Sequence, residues 1–409
     1  MSELDLQAMF ADRIGGLNYG KGAEIYKFEK IKRAKRKALA DHPSRRLLDF
    51  GIGENDSPAP DNVRQRMMQE IHRPENRGYA DNGIPAFKEA VARFMQRNFG
   101  VALDVSEINH CIGSKTALAM LPACFVNPGD VTLMTVPGYP VAGTHTRYYG
   151  GRVYQLPLRA ENDFLPDLGS IPADVRSRAK LLVLNYPNSP TGKVATPEFY
   201  RQVIQYAQDH QIVVVQDAAH LMLTFEGAPL SFLSVPGARE VGVEVHSLSK
   251  SFDMIGWRIG WVCGNRRIVQ AFADVKDNCD SGQFIAIQKA AITALDDASI
   301  PDRTNAKYRR RLGKLVATLS ACGFDCRMPG GSYFLYTRAP RAVRGVAEFR
   351  NAEDASQYLI TELSMVTVPW DDAGAYLRFS ATYEAADESD EDRIMEETRR
   401  RLSDVVLGF

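Results

Sequence analysis

The strongest constraint on the fold is a series of short apolar runs that alternates with helical patterns between residues 107 and 265. Each run is four to six residues long without polar–apolar alternation, which is typical of strands covered on both faces. Alternating strands and helices predict an α/β fold with a mostly parallel sheet flanked by helices. The predicted strands are residues 108–112, 131–136, 181–184, 212–215 and 241–245, and residues 197–210 form a predicted helix.

Polar or aromatic residues follow the predicted strands at the points where the strands end. They are Gly113 with Ser114, Tyr139, Asn185, Asp217 and Ser247. The carboxyl ends of parallel strands meet at one edge of a sheet, and ligands bind there. The sequence therefore predicts one ligand site that collects these side chains.

The length of 409 residues predicts two domains, since single hydrophobic cores stop growing near about 250 to 300 residues. After residue 300 the pattern changes to a basic helix at 308–319, strands at 332–337 and 376–380, and a final helix at 390–406. We therefore expect an N-terminal segment, 1–55, that joins the small domain, a large ligand-binding domain, 56–300, and a small C-terminal α+β domain, 301–409.

Composition excludes several classes of function. Fifty basic residues balance fifty acidic ones, so neither nucleic acid nor an anionic membrane is the expected partner, and a small molecule fits better. Six cysteines without a CxxC pair and seven scattered histidines predict no metal site and no disulfide framework. Residues 1–5 lack the apolar core of a signal peptide, and no apolar run approaches ~18 residues. We expect a soluble, cytoplasmic protein.

Lys250 is the most informative single residue. It follows Ser247 and Ser249 at the end of a predicted strand, and Arg258 lies eight residues later. A buried lysine beside other cations loses its proton more easily and can form a Schiff base. Two hydroxyls and a guanidinium suit a phosphate. An ordinary surface lysine is the alternative for an isolated Ser-x-Ser-Lys, but this context predicts the binding of a phosphate-bearing aldehyde.

Other candidates supplement this set. A carboxylate at a strand end needs a cationic partner, and a pyridinium nitrogen would serve Asp217, with a helix N-cap as the alternative. Gly113, Ser114 and Lys115 open a predicted helix whose N-terminal amides would bind an anion, although ordinary capping has the same pattern. Tyr139 is as consistent with stacking on a cofactor as with plain packing.

Two further basic features have structural alternatives. Arg378 lies inside a strand-like apolar stretch, and since buried arginine is rare without a partner, it is expected to bind either a substrate carboxylate or a structural acid. Residues 27–37 include seven basic side chains in an amphipathic helical pattern. They are interpreted as a solvated basic face rather than an anion site.

These motifs, from Gly51-Ile52-Gly53 to Arg378, resemble the class I/II aminotransferases of fold type I, which use pyridoxal 5'-phosphate (PLP). The segments 185–192, 244–250 and 255–260 carry the resemblance, together with Asp280-Ser281-Gly282. Within that family the chain is most like sequences called LL-diaminopimelate aminotransferases. The resemblance covers nearly the whole chain and implies amino-group transfer from an amino acid, possibly LL-diaminopimelate, to a 2-oxo acid through an aldimine at Lys250.

The resemblance also implies roles for individual residues. Lys250, Asp217 and His220 would be catalytic, and Arg378, Gly53 and Asn188 would bind substrate. The family's active site lies at a homodimer interface, so that Tyr79 would reach the partner's phosphate. The residues implied to hold the cofactor are Gly113, Ser114, Lys115, Tyr139, Asn188, Ser189, Asp217, His220, Ser247, Ser249, Lys250, Arg258 and Tyr79.

Two positions depart from the family pattern. Ser189 stands where the family has asparagine, and His220 stands where it has tyrosine, and both family residues donate to the ring hydroxyl oxygen of the cofactor. Imidazole has an ordinary pKa near ~6.5 against ~10 for a phenol, so His220 is expected to offer a charged donor. This keeps open a PLP enzyme that performs elimination, replacement, cyclisation or carbon–carbon bond formation. A PLP-binding regulatory protein is a third possibility.

Overall fold

The computed structural model of the chain describes residues 5–21 and 27–409. The expectation about a signal peptide falls, apart from Asp5, on residues outside this range. The described N-terminal part consists of short 3-10 turns at Leu6–Met9, Asp12–Ile14 and Gly16–Asn18. Within the described ranges, no helix has the length and apolar character needed to cross a membrane.

A mixed sheet of seven strands forms the centre of the molecule, in the order β2-β8-β7-β6-β5-β3-β4. Strands β3 to β7 run parallel, and β8 is antiparallel to both β2 and β7. The strands are β2 (Ile108–Cys111), β3 (Val131–Val136), β4 (Arg152–Pro157), β5 (Ala179–Asn185), β6 (Val213–Asp217), β7 (Gly242–Ser247) and β8 (Gly260–Gly264).

Helices cover both faces of this sheet, which confirms the predicted fold class. On β5, Leu182 and Leu184 belong to one apolar core and Leu181 and Val183 to another, as the two-residue repeat of a strand requires. The helices are α1 (Lys27–Asp41), α2 (Asp61–Ile71), α3 (Pro85–Phe99), α4 (Ser114–Phe125), α5 (Val141–Tyr148), α6 (Ala173–Arg176), α7 (Pro197–His210), α8 (Ala238–Val241), α9 (Arg266–Asp277), α10 (Ile285–Asp296), α11 (Ser299–Ala321), α12 (Ala352–Thr361) and α13 (Glu388–Ser403).

The C-terminal part builds smaller sheets around another core. Strands β13, β14 and β9 form an antiparallel sheet, β11, β10 and β15 form a second, and β1 pairs in parallel with β12. These strands are β1 (Leu48–Asp49), β9 (Phe334–Arg338), β10 (Ala342–Val343), β11 (Ala347–Glu348), β12 (Met365–Val366), β13 (Val368–Trp370), β14 (Tyr376–Ser380) and β15 (Leu407–Gly408).

Residues from both ends of the chain share this core. Leu48 and Phe50 pack in one cluster with Tyr308, Leu359 and Leu377. Helix α1 packs on α12 through Ile31, Ala34 and Ala38. The N-terminal segment therefore reaches the C-terminal layers before the chain enters the seven-stranded sheet.

Candidate active site

The carboxyl ends of the parallel strands meet where the sequence predicts a ligand site. Asn185, Asp217 and Ser247 are the last residues of β5, β6 and β7, and Asn185 lies opposite Asp217 in the strand register. All three line a cavity of about 700 Å³, together with Lys250 and Arg378. The cavity also contacts Gly53, Ser114, Lys115, Tyr139, Ser189, His220, Ser249 and Arg258.

Lys250 lines this cavity, and its amine has a defined hydrogen-bond partner. Its Nζ donates a hydrogen bond to the Gly53 carbonyl oxygen at 2.9 Å. Burial, followed by the positive charges of Arg378 and Arg258, lowers the pKa of Lys250 from 10.5 to about 8. Because a lysine nucleophile must lose its proton, this environment supplies more free amine near neutral pH than an ordinary lysine would.

A cradle for an anion lies beside Lys250. The Arg258 guanidinium donates to Ser249 Oγ at 3.0 Å, and Ser247 Oγ donates to Ser249 Oγ at 2.8 Å. Gly113 precedes α4 with φ +72° and ψ 158°, and a Cβ there would lie 2.3 Å from Arg258 Nη2. Guanidinium, hydroxyls and a helix N-terminus therefore converge, which is the donor set that a phosphate needs.

Asp217 is a buried carboxylate, 5% exposed. Its Oδ1 accepts a hydrogen bond from the Ala219 amide at 3.1 Å. Burial raises the pKa of Asp217 from 3.8 to about 6, against the opposing effects of that amide, His246 and Lys250. A buried carboxylate gains most from a protonated nitrogen within contact distance, and Asp217 lines the cavity in which such a group would bind.

His220 corrects one expectation. It is 5% exposed, its Nδ1 lies 3.2 Å from Ser332 Oγ, and its ring meets that of Tyr333 edge-on at 5.3 Å. Burial, followed by the positive charges of Lys250 and Arg378, lowers the pKa of His220 well below 6.5. The prediction of a charged donor at this position is wrong: the imidazole is neutral because the low dielectric and the neighbouring cations both oppose protonation.

In the turn after β5, Ser189 reaches the cavity and Asn188 does not. Ser189 lines the cavity, and its amide donates to Asn185 Oδ1 at 2.9 Å. Asn188 is fully buried and does not line the cavity, because its Oδ1 accepts from the amide and hydroxyl of Thr191. Its Nδ2 is buried without a hydrogen-bond partner in the described chain. Asn188 therefore supports the turn from behind Ser189.

Arg378 lines the cavity from β14. It is 6% exposed, its Nη2 donates to Gly51 O at 2.9 Å, and its guanidinium carbon lies 4.1 Å from the centre of the Phe334 ring. Its buried Nε has no hydrogen-bond partner among the described residues. Burial lowers the pKa of Arg378 to about 10, so that it remains charged at neutral pH. Such a group is suited to bind a carboxylate.

The remaining candidates differ in position. Tyr139 is 41% exposed and lines the cavity, as does the exposed Lys115. Tyr79 is 86% exposed and does not line the cavity of its own chain.

Several residues that line the cavity or contact its lining were missed from the sequence. The Tyr333 hydroxyl donates to Gly53 O at 2.8 Å, and Lys250 Nζ lies 5.5 Å from the centre of the Tyr333 ring. Lys27, which was assigned to a solvated basic face, lines the cavity with Trp370 and Asp372. All four of these residues lie outside the seven-stranded sheet. No sequence motif links them to Lys250.

The comparisons with known proteins identify this arrangement. The family model "Aminotransferase class I and II" matches residues 45–389. The chain belongs to the class I and II aminotransferases. It is 54% identical over 414 residues to a protein of Methanocaldococcus jannaschii named LL-diaminopimelate aminotransferase, with 99% of each chain covered. It is 51% identical to a protein of the same name from Methanococcus maripaludis, again covering 99% of each.

Solved structures of aminotransferases share the fold. Substrate-bound BacF of Bacillus subtilis is 28% identical with a TM-score of 0.85, and 98% of both chains is covered. An aminotransferase from Staphylococcus aureus is 27% identical with a TM-score of 0.81, covering 88% of this chain and 95% of that one. The predicted fold type I is thereby confirmed.

This aminotransferase is a PLP-dependent enzyme, as the resemblance implied. The residues present fit that cofactor, because the Gly113–Arg258 cradle suits its phosphate and the buried Asp217 carboxylate suits its ring nitrogen. Amino-group transfer between an amino acid and a 2-oxo acid is its reaction. Elimination, replacement, cyclisation and carbon–carbon bond formation are not favoured, and neither is a regulatory protein without turnover.

Proposed function

We propose that this aminotransferase transfers an amino group from LL-diaminopimelate to 2-oxoglutarate. The relatives that are 54% and 51% identical over nearly the whole chain carry the name of that activity. The observation that carries the proposal is the placement of Lys250 Nζ in a cavity that also presents the buried Arg378 guanidinium. The same cavity thus offers an amine and a carboxylate receptor.

Each group around the cofactor has a proposed task. Ser114, Ser247, Ser249 and Arg258 hold the phosphate, and Asp217 keeps the ring nitrogen protonated. The other residues predicted to hold the cofactor have supporting positions in this proposal: Gly113 and Lys115 at the helix start, Tyr139 against the ring, Ser189 and His220 near the ring oxygen, and Asn188 behind Ser189.

The chemistry of the cofactor, when bound, is to take up the substrate amino group on its aldehyde carbon and to withdraw electrons from the substrate Cα. Arg378 orients the substrate by a bidentate contact with the α-carboxylate. Lys250 Nζ then acts as base at Cα, and its pKa of about 8 suits proton transfer near neutral pH. Gly53 O, which holds Lys250 Nζ here, lies beside the substrate position and completes the proposed substrate site.

The proposed assembly is a cytoplasmic homodimer. The high exposure of Tyr79 leaves its hydroxyl available to a second subunit, and the six cysteines are free thiols, which agrees with a reducing compartment. The proposed domains are 56–300 for cofactor binding and 301–409 for the small domain, with 1–55 attached to the latter. Support comes from the pairing of β1 with β12 and from the shared core of Phe50 and Phe379.

The test combines a product assay with a lysine substitution. Purified protein is incubated with LL-diaminopimelate and 2-oxoglutarate, and mass spectrometry is expected to detect glutamate and tetrahydrodipicolinate. Lys250→Ala is expected to retain bound cofactor but to lose turnover, whereas Lys180→Ala, which changes an exposed lysine of β5, is the matched control. Turnover of other amino acids with none of LL-diaminopimelate would refute the proposed substrate while leaving the role of Lys250 intact.

A further inference from the structure

The active-site cavity is also lined by side chains that the proposed mechanism does not use. Lys27, Trp370 and Asp372 line this part of the cavity. Lys27 Nζ lies 3.7 Å from the centre of the Trp370 ring, and its hydrogen bond to Pro369 O is long, at 3.4 Å. Among the residues that the structure describes, Lys27 forms no ion pair. A half-buried ammonium group therefore lines the cavity with no carboxylate of residues 5–21 or 27–409 in contact with it.

The strand register fixes how this group relates to Arg378. In the β13–β14 pair Arg378 lies opposite Val368, and Trp370 lies opposite Tyr376. Residues two apart on a strand share a face and are separated by about 7 Å. Trp370 therefore lies on the same face of the sheet as Arg378, one such step along it, and its ring contacts Lys27.

The electrostatics of Lys27 indicate what would bind there. Burial lowers the pKa of Lys27, Asp372 opposes that shift, and the positive charge of Arg378 adds to it. An anion near Lys27 would relieve both the desolvation and the repulsion. Asp372 is an exposed carboxylate on the same rim and offers an acceptor for a cation.

On the basis of the proposed function, we propose that Lys27 and Asp372 form a distal subsite that binds a side chain ending in both an ammonium and a carboxylate group. Lys27 binds the distal carboxylate, and Asp372 binds the distal ammonium. The two carboxylates of a seven-carbon diamino diacid are joined through six C–C bonds of about 1.52 Å and lie roughly 7.5 Å apart when extended. With one carboxylate at Arg378, an extended molecule of this length reaches past the neighbouring residue on the same face of the sheet, which is Trp370.

Four amino acids with different distal groups test the two charged residues of the subsite separately. LL-diaminopimelate carries both distal groups, L-2-aminopimelate only the carboxylate, L-lysine only the ammonium, and L-norleucine neither. For each, the concentration that gives half of the maximal change in cofactor absorbance is measured with the holoenzyme. A hydrogen bond to a charged group contributes enough free energy for about a tenfold change in affinity or more. Lys27→Met is therefore expected to raise the half-saturating concentrations of diaminopimelate and aminopimelate by that factor. Asp372→Asn is expected to raise the half-saturating concentrations of diaminopimelate and lysine.

Lys30→Met is the matched control, because Lys30 lies one turn along α1 and pairs with Glu353 at 2.6 Å outside the cavity. Lys30→Met and both test variants are expected to leave the half-saturating concentration of norleucine unchanged. Equal losses for all four amino acids, or no loss with any, would overturn the subsite. If diaminopimelate gives no change in cofactor absorbance with the wild type, the proposed substrate is refuted. The subsite is then still tested by comparing aminopimelate and lysine with norleucine in the wild type and the variants.

Binding without reaction supplies a second readout. Heptanedioate has two carboxylates and no amino group, and heptanoate has one carboxylate. Calorimetry of the wild type is expected to show tighter binding of heptanedioate, and Lys27→Met is expected to reduce that preference about tenfold. No preference in the wild type, or an undiminished preference in the variant, would contradict a carboxylate site at Lys27.

Discussion

Lys250 Nζ donates a hydrogen bond to the carbonyl oxygen of Gly53 at 2.9 Å, across 197 residues of sequence. The Tyr333 hydroxyl donates to the same oxygen at 2.8 Å. One carbonyl thus joins the N-terminal segment, the end of β7 and the residues before β9. A neutral acceptor does not offset a buried positive charge as a carboxylate would, so the amine is held in place at some cost to stability.

Replacing Lys250 by Met is therefore expected to stabilise the apoprotein at pH 7. The pKa of Lys250 is about 8 against 10.5 for the ordinary group, and at 1.36 kcal/mol per pKa unit the gain is on the order of 1–3 kcal/mol. The unfolded state binds more protons between pH 8 and 10.5, so wild-type stability rises across that window and the gain shrinks. Urea unfolding at pH 7 and pH 10 measures this, and an equal gain at both pH values would contradict it.

Cofactor affinity is expected to rise as the pH increases through about 6. The pKa of Asp217 is raised to about 6 by burial, and only its ionised form can pair with a protonated ring nitrogen. Asp217→Asn is expected to weaken binding about 10- to 100-fold and to remove the inflection. His220→Asn is the control, because the pKa of His220 lies well below 6.5. Fluorescence titration of the apoprotein from pH 5 to 8 gives the profiles; a shared inflection in both variants would contradict the assignment.

Gly113→Ala is expected to impair phosphate binding. Its φ of +72° and ψ of 158° lie in a region open essentially to glycine alone, and the new Cβ would displace the Arg258 guanidinium. Loss of one charge-assisted contact predicts cofactor binding weaker by about tenfold or more. Gly227→Ala, also at a positive φ (+71°) but with open space around the new Cβ, is the control without such a contact. Equal cofactor affinity in the two variants would refute the contact.

Glu391→Gln is expected to destabilise the C-terminal core by roughly 3 kcal/mol, because it removes a buried ion-pair partner. Glu391 is 1% exposed and accepts from Arg311 at 2.8 Å and Arg310 at 2.9 Å. Glu388→Gln, which loses only an exposed partner of Arg310, is expected to change little. Burial favours the neutral form of Glu391, but hydrogen bonds from Arg310, Arg311 and Lys314 together outweigh it and lower the pKa of Glu391 to about 2. Its contribution is therefore complete above pH 4.5 and is lost as the pH falls toward 2, which urea unfolding at pH 7 and pH 3 measures.

Mixing two inactive subunits is expected to restore activity if Tyr79 serves the partner's site. In a hybrid of Lys250→Ala and Tyr79→Ala chains, one site carries both defects and the other carries neither. Co-expression with two different tags isolates the hybrid, and about half of the wild-type activity per dimer is expected, since one of its two sites is intact. Activity no higher than that of the parents would place Tyr79 in its own chain's site or outside any site.

The sequence predicted some elements closely and missed others. The predictions of 131–136, 197–210 and 376–380 coincide with β3, α7 and β14. Strand β4 was missed because it lies at the edge of the sheet and is partly exposed, and its residues therefore lack a continuous apolar run. Strand β8 was missed because the five-residue segment begins and ends with glycine, which reads as a turn.

By itself, the sequence determined the parallel core and the chemistry at its edge. Strands covered on both faces must be apolar throughout, and their carboxyl ends meet at one edge, so Lys250, Asp217 and Arg258 are visible as a set without coordinates. Only the tertiary structure decided the neutrality of His220, the position of Asn188 behind Ser189, the presence of Lys27 in the cavity wall, and the hydrogen bond from Tyr333 to Gly53 O. Protonation depends on burial and on charges from distant segments of the chain. The spacing of residues in the local sequence reveals neither of them.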